Sequence, residues 1–314
     1  MDSMFFTICG LIVVGISWCL NGVILGRAPK DGLNESLIIF TGAICAVLCG
    51  IVVSLSTGAI SNASLPVTLR TLAFYFAGGI FNFFGLQSMA QGMRRGPNGI
   101  IWGIMQSALV FPFTIGIVVF GTEPTVWRLV GIVSLLVGLA FYAMAKESSR
   151  EKGRPHKGSW RFYAFLSFAL VSIQQTLTST PSYFPEARSV SSVLRSVALS
   201  FGDFVGFLLL FAFRILRNGS IAIPFRENYH RLRFWAYIFV LQFFAILFAY
   251  TLLYPGMDKM AEHGAGAVSY PLMVASCIIA FTVYSFAVLK EKPTFKQILA
   301  LIFCLIGFAG MCIQ

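Results

Sequence analysis

Residues 96–125 read GPNGIIWGIMQSALVFPFTIGIVVFGTEPT, and residues 264–294 read GAGAVSYPLMVASCIIAFTVYSFAVLKEKPT. Each stretch opens on small residues, continues as an apolar run long enough to cross a lipid bilayer, and ends in a short polar turn. A shift of 168 positions (264 − 96) aligns the two stretches, and one inserted residue raises the shift to 169 at the turn. The identical pairs include Gly96 with Gly264, Met105 with Met273, Phe113-Thr114 with Phe281-Thr282, Glu123 with Glu291, and Pro124-Thr125 with Pro293-Thr294. We therefore predict that the two stretches are copies of one repeated unit.

The chain as a whole has the composition of a membrane protein. Its 314 residues are 57% apolar and 11% charged, and apolar runs of about 18 residues or more are typical of helices that cross a bilayer. Ten such runs are present, at residues 5–25, 36–56, 70–90, 98–120, 127–145, 161–178, 191–213, 234–254, 266–289 and 295–313. The connections between them are too short for a soluble domain. We therefore predict an all-α integral membrane protein with ten transmembrane helices.

The repeat predicts how these helices are arranged. An odd number of spans separates the two copies, so the copies cross the membrane in opposite directions. The sequence thus predicts two inverted five-helix repeats, residues 1–146 and 161–314, joined by a basic linker at 147–160. Inverted repeats of this kind are common among secondary transporters. Spans 5 and 10 carry small residues at helical spacing, which we expect either to stiffen the halves or to form a dimer face, the protein being a monomer or a homodimer. These residues are Gly131, Gly138, Ala300 and Gly307.

The net charge of +11 is divided unevenly between the two predicted sides of the membrane. The connections on one side carry only Arg70, Arg128, Arg188, Arg195 and Lys259, and the other side carries the remaining 18 of the 23 Lys and Arg residues. Cytoplasmic loops are the ones rich in Lys and Arg. The asymmetry therefore predicts that both termini lie outside, and we expect the chain to reside in a bacterial inner membrane, surrounded by lipid. It also accounts for the basic excess without a nucleic-acid partner.

Polar side chains within the spans predict the substrate site. A polar group in lipid is costly unless it faces a cavity or a partner, and amides and phenols suit neutral ligands because each offers both a donor and an acceptor. The predicted substrate-binding residues are Asn21, Asn82, Trp102, Gln106, Gln174, Gln175, Gln242, Tyr250 and Tyr270. The shift of 168 pairs Trp102 with Tyr270 and Asn82 with Tyr250, as expected for a pocket on a pseudo-symmetry axis. The alternative is that each residue only bonds a neighbouring helix.

Asp203 is the only acidic residue deep within a predicted span. An intramembrane carboxylate is expected to have a function, and we expect Asp203 to carry the proton that drives transport. Arg195 or a serine could pair with it instead. Glu123 and Glu291 lie at span ends beside proline, and we expect each to cap the helix that follows.

The order of spans and turns resembles that of the drug/metabolite transporter superfamily, in its EamA-like ten-helix form. The resemblance is sharpest at the turns Gly121–Thr125 and Lys290–Thr294, and the segment Gly79–Leu86 with Gly96 is similar to the branch that takes up rhamnose, glucose or ribose. The resemblance implies a bundle of two inverted five-helix halves around a pocket lined by spans 1, 3, 4, 6, 8 and 9. It also implies a small polar substrate, such as a sugar, a nucleotide sugar, an amino acid or a nucleobase.

These features predict a secondary active transporter that moves a small polar metabolite by alternating access, with a sugar taken up together with protons as the first expectation. Export or exchange of amino acids, nucleobases or other metabolites is the alternative within the same class. A membrane-embedded enzyme is a more distant alternative, because it would need an acid, base or metal cluster that the sequence lacks. An ion channel would need rings of charge or a carbonyl-lined filter, which are also missing. We predict no catalytic residue, no metal and no cofactor.

Overall fold

The structure is a computed structural model that describes residues 2–58, 62–96, 98–144, 159–218, 225–287 and 294–313. These residues are almost entirely helical and include no strand. The α-helices are α1 (Asp2–Arg27), α2 (Glu35–Thr57), α3 (Leu65–Met93), α4 (Asn98–Gln106), α5 (Val110–Val118), α6 (Val126–Met144), α7 (Trp160–Ser179), α8 (Pro185–Arg188), α9 (Ser192–Asn218), α10 (Phe225–Tyr229), α11 (Leu232–Phe248), α12 (Tyr254–Glu262), α13 (Ser269–Ala287) and α14 (Phe295–Cys312).

Eight helical stretches within these residues are long and apolar enough to cross a membrane, so the chain is an all-α membrane protein. They are Met4–Arg27, Glu35–Thr57, Leu65–Met93, Ile100–Val118, Ser192–Arg217, Leu232–Glu262, Gly266–Tyr284 and Phe295–Cys312. Helix also occupies the two remaining apolar runs. The apolar part of α6 is shorter, at Val126–Phe141, and α7 is more polar because its C-terminal part contains glutamine, threonine and serine. Most of the predicted linker 147–160 lies outside the described residues.

The eighth apolar run extends further than its sequence predicted. The run was expected to end at residue 254, but the helix continues through a π-helical turn, Ala249–Leu253, into α12 and ends at Glu262. Pro255 lies at the start of α12, where its missing N–H group and its ring disturb regular α-helical bonding. A π-turn is one of the ways in which a helix absorbs such a disturbance. The longer helix places a second acidic residue, Asp258, within a membrane-length helix.

Small residues allow two pairs of helices to approach closely. A Cβ atom on Gly79 of α3 would lie 2.8 Å from the Cα atom of Gly202 on α9, so these two helices touch at their backbones. In the same way α6 packs on α14, and a Cβ atom on Gly131 would lie 2.9 Å from the carbonyl oxygen of Gly307. Lipid provides no hydrophobic drive for helix association, so close backbone contact takes its place. The small residues of spans 5 and 10 therefore pack against each other within the chain.

Matching threonines begin the helices that follow the two repeated turns. The Thr125 hydroxyl accepts a hydrogen bond from the backbone N–H of Arg128 at 3.3 Å, and the Thr294 hydroxyl accepts one from the backbone N–H of Gln297 at 3.4 Å. A hydroxyl at this position satisfies an amide that the helix itself leaves unpaired. The helix α6 is thus capped by Thr125 and not by Glu123 as predicted, and Glu291 lies outside the described residues.

Candidate functional site

A cavity of about 230 Å³ lies between α1, α2, α3, α4, α7, α9, α11 and α13. Of the ten residues predicted for substrate binding and proton coupling, nine line this cavity: Asn21, Asn82, Trp102, Gln106, Gln174, Gln175, Asp203, Gln242 and Tyr270. They come from seven different helices, which the fold brings around one space. Its volume lies below the roughly 300–1,000 Å³ of common ligand pockets. The cavity therefore has room for a small molecule only.

Tyr250 is the predicted residue that does not line the cavity. It lies in the π-turn, and its hydroxyl points at α2, where a Cβ atom on Gly50 would be 2.9 Å away. A π-turn inserts an extra residue into the helical repeat, so the residues after it face a different direction from that given by regular α-helical spacing. Tyr254, one turn later, lines the cavity instead. The pairing of Asn82 with Tyr250 by the shift of 168 therefore does not correspond to a shared position at this cavity.

The Asp203 carboxylate is held by an amide across a glycine contact. The Asn82 side chain on α3 donates a hydrogen bond from its Nδ2 atom to Asp203 Oδ1 on α9 at 2.9 Å. Asn82 lies one helical turn beyond Gly79, and Asp203 directly follows Gly202, so the glycine contact between α3 and α9 sets this distance. The expected alternative of an ion pair between Asp203 and Arg195 is wrong, because Arg195 binds a different carboxylate.

That carboxylate belongs to Asp258. The guanidinium of Arg195 is fully buried and donates from Nη1 to both oxygens of Asp258, at 2.9 Å each, while Nη2 donates to the carbonyl oxygen of Ala187 at 2.7 Å. The ring of Tyr75 lies beside this pair and packs edge to face on Tyr254 with 5.0 Å between ring centroids. The cluster closes the cavity next to Tyr254. A buried ion pair with this many hydrogen bonds fixes the relative positions of α9 and α12.

Aromatic rings form the walls of the cavity on α1, α4 and α13. The rings of Trp18 and Tyr270 lie 5.9 Å apart, and Trp102 stacks on Phe281 at 6.1 Å. The Tyr270 hydroxyl shares a hydrogen bond of 2.5 Å with the hydroxyl of Thr178. Flat apolar faces of this kind can pack against the C–H face of a sugar or the plane of a base.

Two buried polar atoms in the cavity wall have no hydrogen-bond partner among the described residues. They are the Trp102 indole Nε1, which can only donate, and the Gln175 Oε1, which can only accept. A buried polar group without a partner costs roughly 1–3 kcal/mol. A ligand that bears both a donor and an acceptor would remove both costs, so these two atoms indicate the polar chemistry that the cavity can bind.

Two of the other predicted amides already have hydrogen-bond partners. Gln106 donates to the sulfur of Cys277 at 3.4 Å, and Gln174 donates to Thr178 at 3.4 Å. The amide of Gln242 lies against Gly42 of α2. These residues shape the wall, and each retains further hydrogen-bonding capacity toward the cavity.

The cavity lining contains one acidic side chain and no basic one in the part of the chain that the structure describes. Asp203 is the acidic residue in its lining, and no Lys, Arg or His side chain lines it. A carboxylate or phosphate group entering the cavity would therefore find no compensating cation in this lining. The charge distribution favours a neutral ligand.

Sequence reasoning did not select Ser196, Ser200 and Tyr254, which also line the cavity. Ser196, Ser200 and Asp203 follow one another at spacings of four and three on α9, which puts them on one helix face. That spacing is visible in the sequence, so a search for polar residues in register with Asp203 would have found the two serines. The described residues contain no group of three or more His, Cys, Asp or Glu side chains that could hold a metal ion.

Comparison with known proteins identifies the fold but no family. No protein-family model matches the chain, and no curated protein matches it. Eighteen chains of solved structures do match. One of them, described only as "Crystal structure of protein", aligns with a TM-score of 0.64 at 14% sequence identity, over 99% of this chain and 97% of its own length. At this identity the likeness shows that the two chains share a fold.

Proposed function

We propose that the protein is a secondary active transporter of a small, neutral, polar metabolite, with a sugar taken up together with protons as the leading case. The observation that carries the proposal is the chemistry of one cavity. Aromatic walls, unpaired polar atoms on Trp102 and Gln175, and the Asp203 carboxylate meet in about 230 Å³ inside a bundle of membrane-length helices. Substrate sites of secondary transporters lie within the membrane between repeats in this way.

The proposed architecture is two inverted five-helix halves that rock about this cavity, as in the drug/metabolite transporter superfamily. The internal match between residues 96–125 and 264–294 supports it, as do the equivalent threonine caps at the two turns. Under this proposal both termini lie outside a bacterial inner membrane, on the side with few Lys and Arg residues.

Proton coupling is proposed to run through Asp203. Its carboxylate is within reach of any molecule in the cavity, and Asn82 donates to it at 2.9 Å. Loss of its charge would change the hydrogen bonds that the cavity offers to a ligand, so binding of a proton and binding of a ligand would depend on each other. Such dependence is what a symporter requires.

Among the alternatives, a nucleobase fits the cavity better than an amino acid. A base has a flat face for Trp18 and Trp102 and carries donors and acceptors on its edge. An amino acid carries a carboxylate, for which the described lining of the cavity offers no cation. Export or exchange of a neutral metabolite is the second candidate, since the direction of transport follows the gradients.

Uptake by purified protein in liposomes tests the proposal. Labelled sugars, nucleobases and amino acids are offered with and without an inward proton gradient, and we expect saturable uptake of a sugar that the gradient increases. In Asp203→Asn we expect gradient-driven accumulation to be lost while exchange of labelled for unlabelled sugar continues. Glu227→Gln is the matched control, because Glu227 is exposed and does not line the cavity.

Two results would contradict these statements separately. Full proton-driven accumulation by Asp203→Asn would refute the coupling role and leave transport intact. No uptake or exchange of any member of the panel, by protein shown to be folded by circular dichroism, would refute the transport of these metabolites.

A further inference from the structure

One end of the bundle carries Glu186 and is here called the Glu186 end. A depression at this end contains Arg128, whose Nε atom has no partner among the described residues. The depression is formed by the turn between α5 and α6, the residue Tyr183 after α7, and the turn between α12 and α13. Its lining residues are Phe120, Gly121, Thr122, Glu123, Thr125, Arg128, Tyr183, Ala261, His263 and Gly264. It is separate from the central cavity, with which it shares no lining residue.

Arg128 differs from the other arginines of this end. Arg70 pairs with Glu186 at 2.8 Å, Arg188 pairs with Glu262 at 3.3 Å, and Arg195 pairs with Asp258 at 2.9 Å. Arg128 has no carboxylate partner among the described residues. Glu123 lies in the same depression, but Arg128 contacts its backbone carbonyl and not its carboxylate.

The contacts that Arg128 does make use only one of its nitrogens. Nη1 donates to the carbonyl oxygens of Glu123 at 3.4 Å and of Gly264 at 3.5 Å, both at the limit of a hydrogen bond. Its Nε atom is buried and has no partner among the described residues. If the side chain served only to cap these two carbonyls, a buried donor would remain unpaired, which is unfavourable. The arrangement leaves the Nε edge of a rigid, permanently charged fork available to a ligand.

Tyr183 supplies a second donor in the lining of the same depression. Its ring stacks on Phe120 with 4.1 Å between centroids, and its hydroxyl is buried without a hydrogen bond to the described residues. Burial raises the pKa of Tyr183 to about 12. The phenol therefore keeps its proton at neutral pH and can donate it to an anion. The first turn of α6, which begins after Thr125, adds further positive character to the same depression.

We propose that this depression binds one phosphate-type oxyanion, held by the Nε edge of Arg128 and the hydroxyl of Tyr183. Inorganic phosphate and the phosphodiester of a lipid headgroup both present such anionic oxygens. Either can reach this depression, because it lies where membrane-length helices end. A bound anion would join the turn between α5 and α6 to the turn between α12 and α13. The proposal does not rest on transport, and its test does not depend on transport activity.

Binding is tested on the purified, full-length protein. In neutral detergent, inorganic phosphate is titrated at constant ionic strength while thermal unfolding is followed, and we expect a saturable rise in the unfolding temperature. In parallel, native mass spectrometry counts phosphatidylglycerol molecules retained from nanodiscs of mixed phosphatidylcholine and phosphatidylglycerol. Arg128→Gln is expected to weaken whichever anion binds by about tenfold or more, because a charge-assisted fork is lost.

Further variants make the outcome specific to this site. Arg128→Lys keeps the charge but removes the Nε donor, and Tyr183→Phe removes only the hydroxyl, so each is expected to weaken binding without unfolding the protein. Arg70→Gln, at the same end but outside the depression, is the matched control and is expected to bind as the wild type does. If the Arg128 variants lose the rise in unfolding temperature with phosphate, the site binds a soluble anion. If they lose the retained phosphatidylglycerol, the site binds a lipid headgroup. If neither probe binds, or if Arg70→Gln changes binding as much as Arg128→Gln, the proposal is wrong.

Discussion

Replacing Asp258 with asparagine leaves a fully buried guanidinium without its carboxylate. Arg195 is 0% exposed and Asp258 is 14% exposed, and two hydrogen bonds of 2.9 Å join them. Removing one partner of a buried ion pair costs about 3–5 kcal/mol. Asparagine keeps the shape and one acceptor, so we expect the lower end of this range, about 3 kcal/mol. At 1.4 kcal/mol per factor of ten, this is a roughly 100-fold change in the unfolding equilibrium.

The measurement is equilibrium unfolding in mixed micelles, with the mole fraction of sodium dodecyl sulfate raised stepwise and helix content followed by circular dichroism. Glu186→Gln is the matched control, since it makes the same chemical change in an ion pair at the same end of the bundle. There the side chains of Arg70 and Glu186 are 53% and 49% exposed, and solvent screens such a pair strongly. We expect its unfolding midpoint to stay near that of the wild type.

A double variant separates the charge from the packing. Arg195→Met combined with Asp258→Leu removes both charges and keeps side chains of similar length, and such replacements are often neutral or stabilising. We therefore expect the double variant to be more stable than Asp258→Asn. If Asp258→Asn unfolds no more easily than Glu186→Gln, or if the double variant is as unstable as the single one, the reasoning from the buried charge is refuted.

Two further predictions concern the central cavity. Trp102→Phe keeps an aromatic ring and removes the unpaired Nε1 donor, so we expect the KM for the transported ligand to rise by roughly tenfold, the value of a single hydrogen bond to a ligand. The control Trp127→Phe changes a tryptophan that is 56% exposed on α6 and should leave the KM unchanged. An equal KM in both variants would contradict the role of Trp102. Gly79→Ala places a methyl group against the backbone of α9, and we expect it to lower the free energy of unfolding by about 1–3 kcal/mol. We also expect it to abolish proton-driven uptake, because it separates Asn82 from Asp203. Unchanged stability and uptake would show that α3 and α9 do not touch as described.

The sequence predicted the amide and carboxylate side chains of the cavity lining because of a simple physical constraint. Polar side chains are expensive in lipid, so residues such as Asn21 and Gln106 could be expected to face an enclosed space before any helix was placed. Their convergence on one cavity follows from the fold. The sequence also predicted every apolar helix by position, since a span needs a minimum length of apolar residues.

The rest depended on information that periodicity does not contain. Tyr250 and Tyr254 are equally plausible from regular helical spacing, and only the π-turn decides which of them faces the cavity. The partner of Arg195 was missed because Asp258 was assigned to a loop, and the helix that contains it extends to Glu262. The hydrogen bond between Asn82 and Asp203 joins residues 121 positions apart, and no local pattern predicts which helices become neighbours.

The residues that line the cavity belong to two groups of helices that can change independently during evolution. The first group, α3 and α9, is joined by the contact between Gly79 and Gly202. The carboxylate and its amide belong to α3 and α9, which the glycines fix at the backbone. The aromatic walls belong to other helices, with Trp18 on α1 and Trp102 on α4. Under the proposed function, a descendant of this protein could acquire a new substrate by substitutions on α1 and α4 alone. Its energy source would be inherited unchanged, since the residues that respond to the proton are fixed by a pair of glycines that no ligand touches.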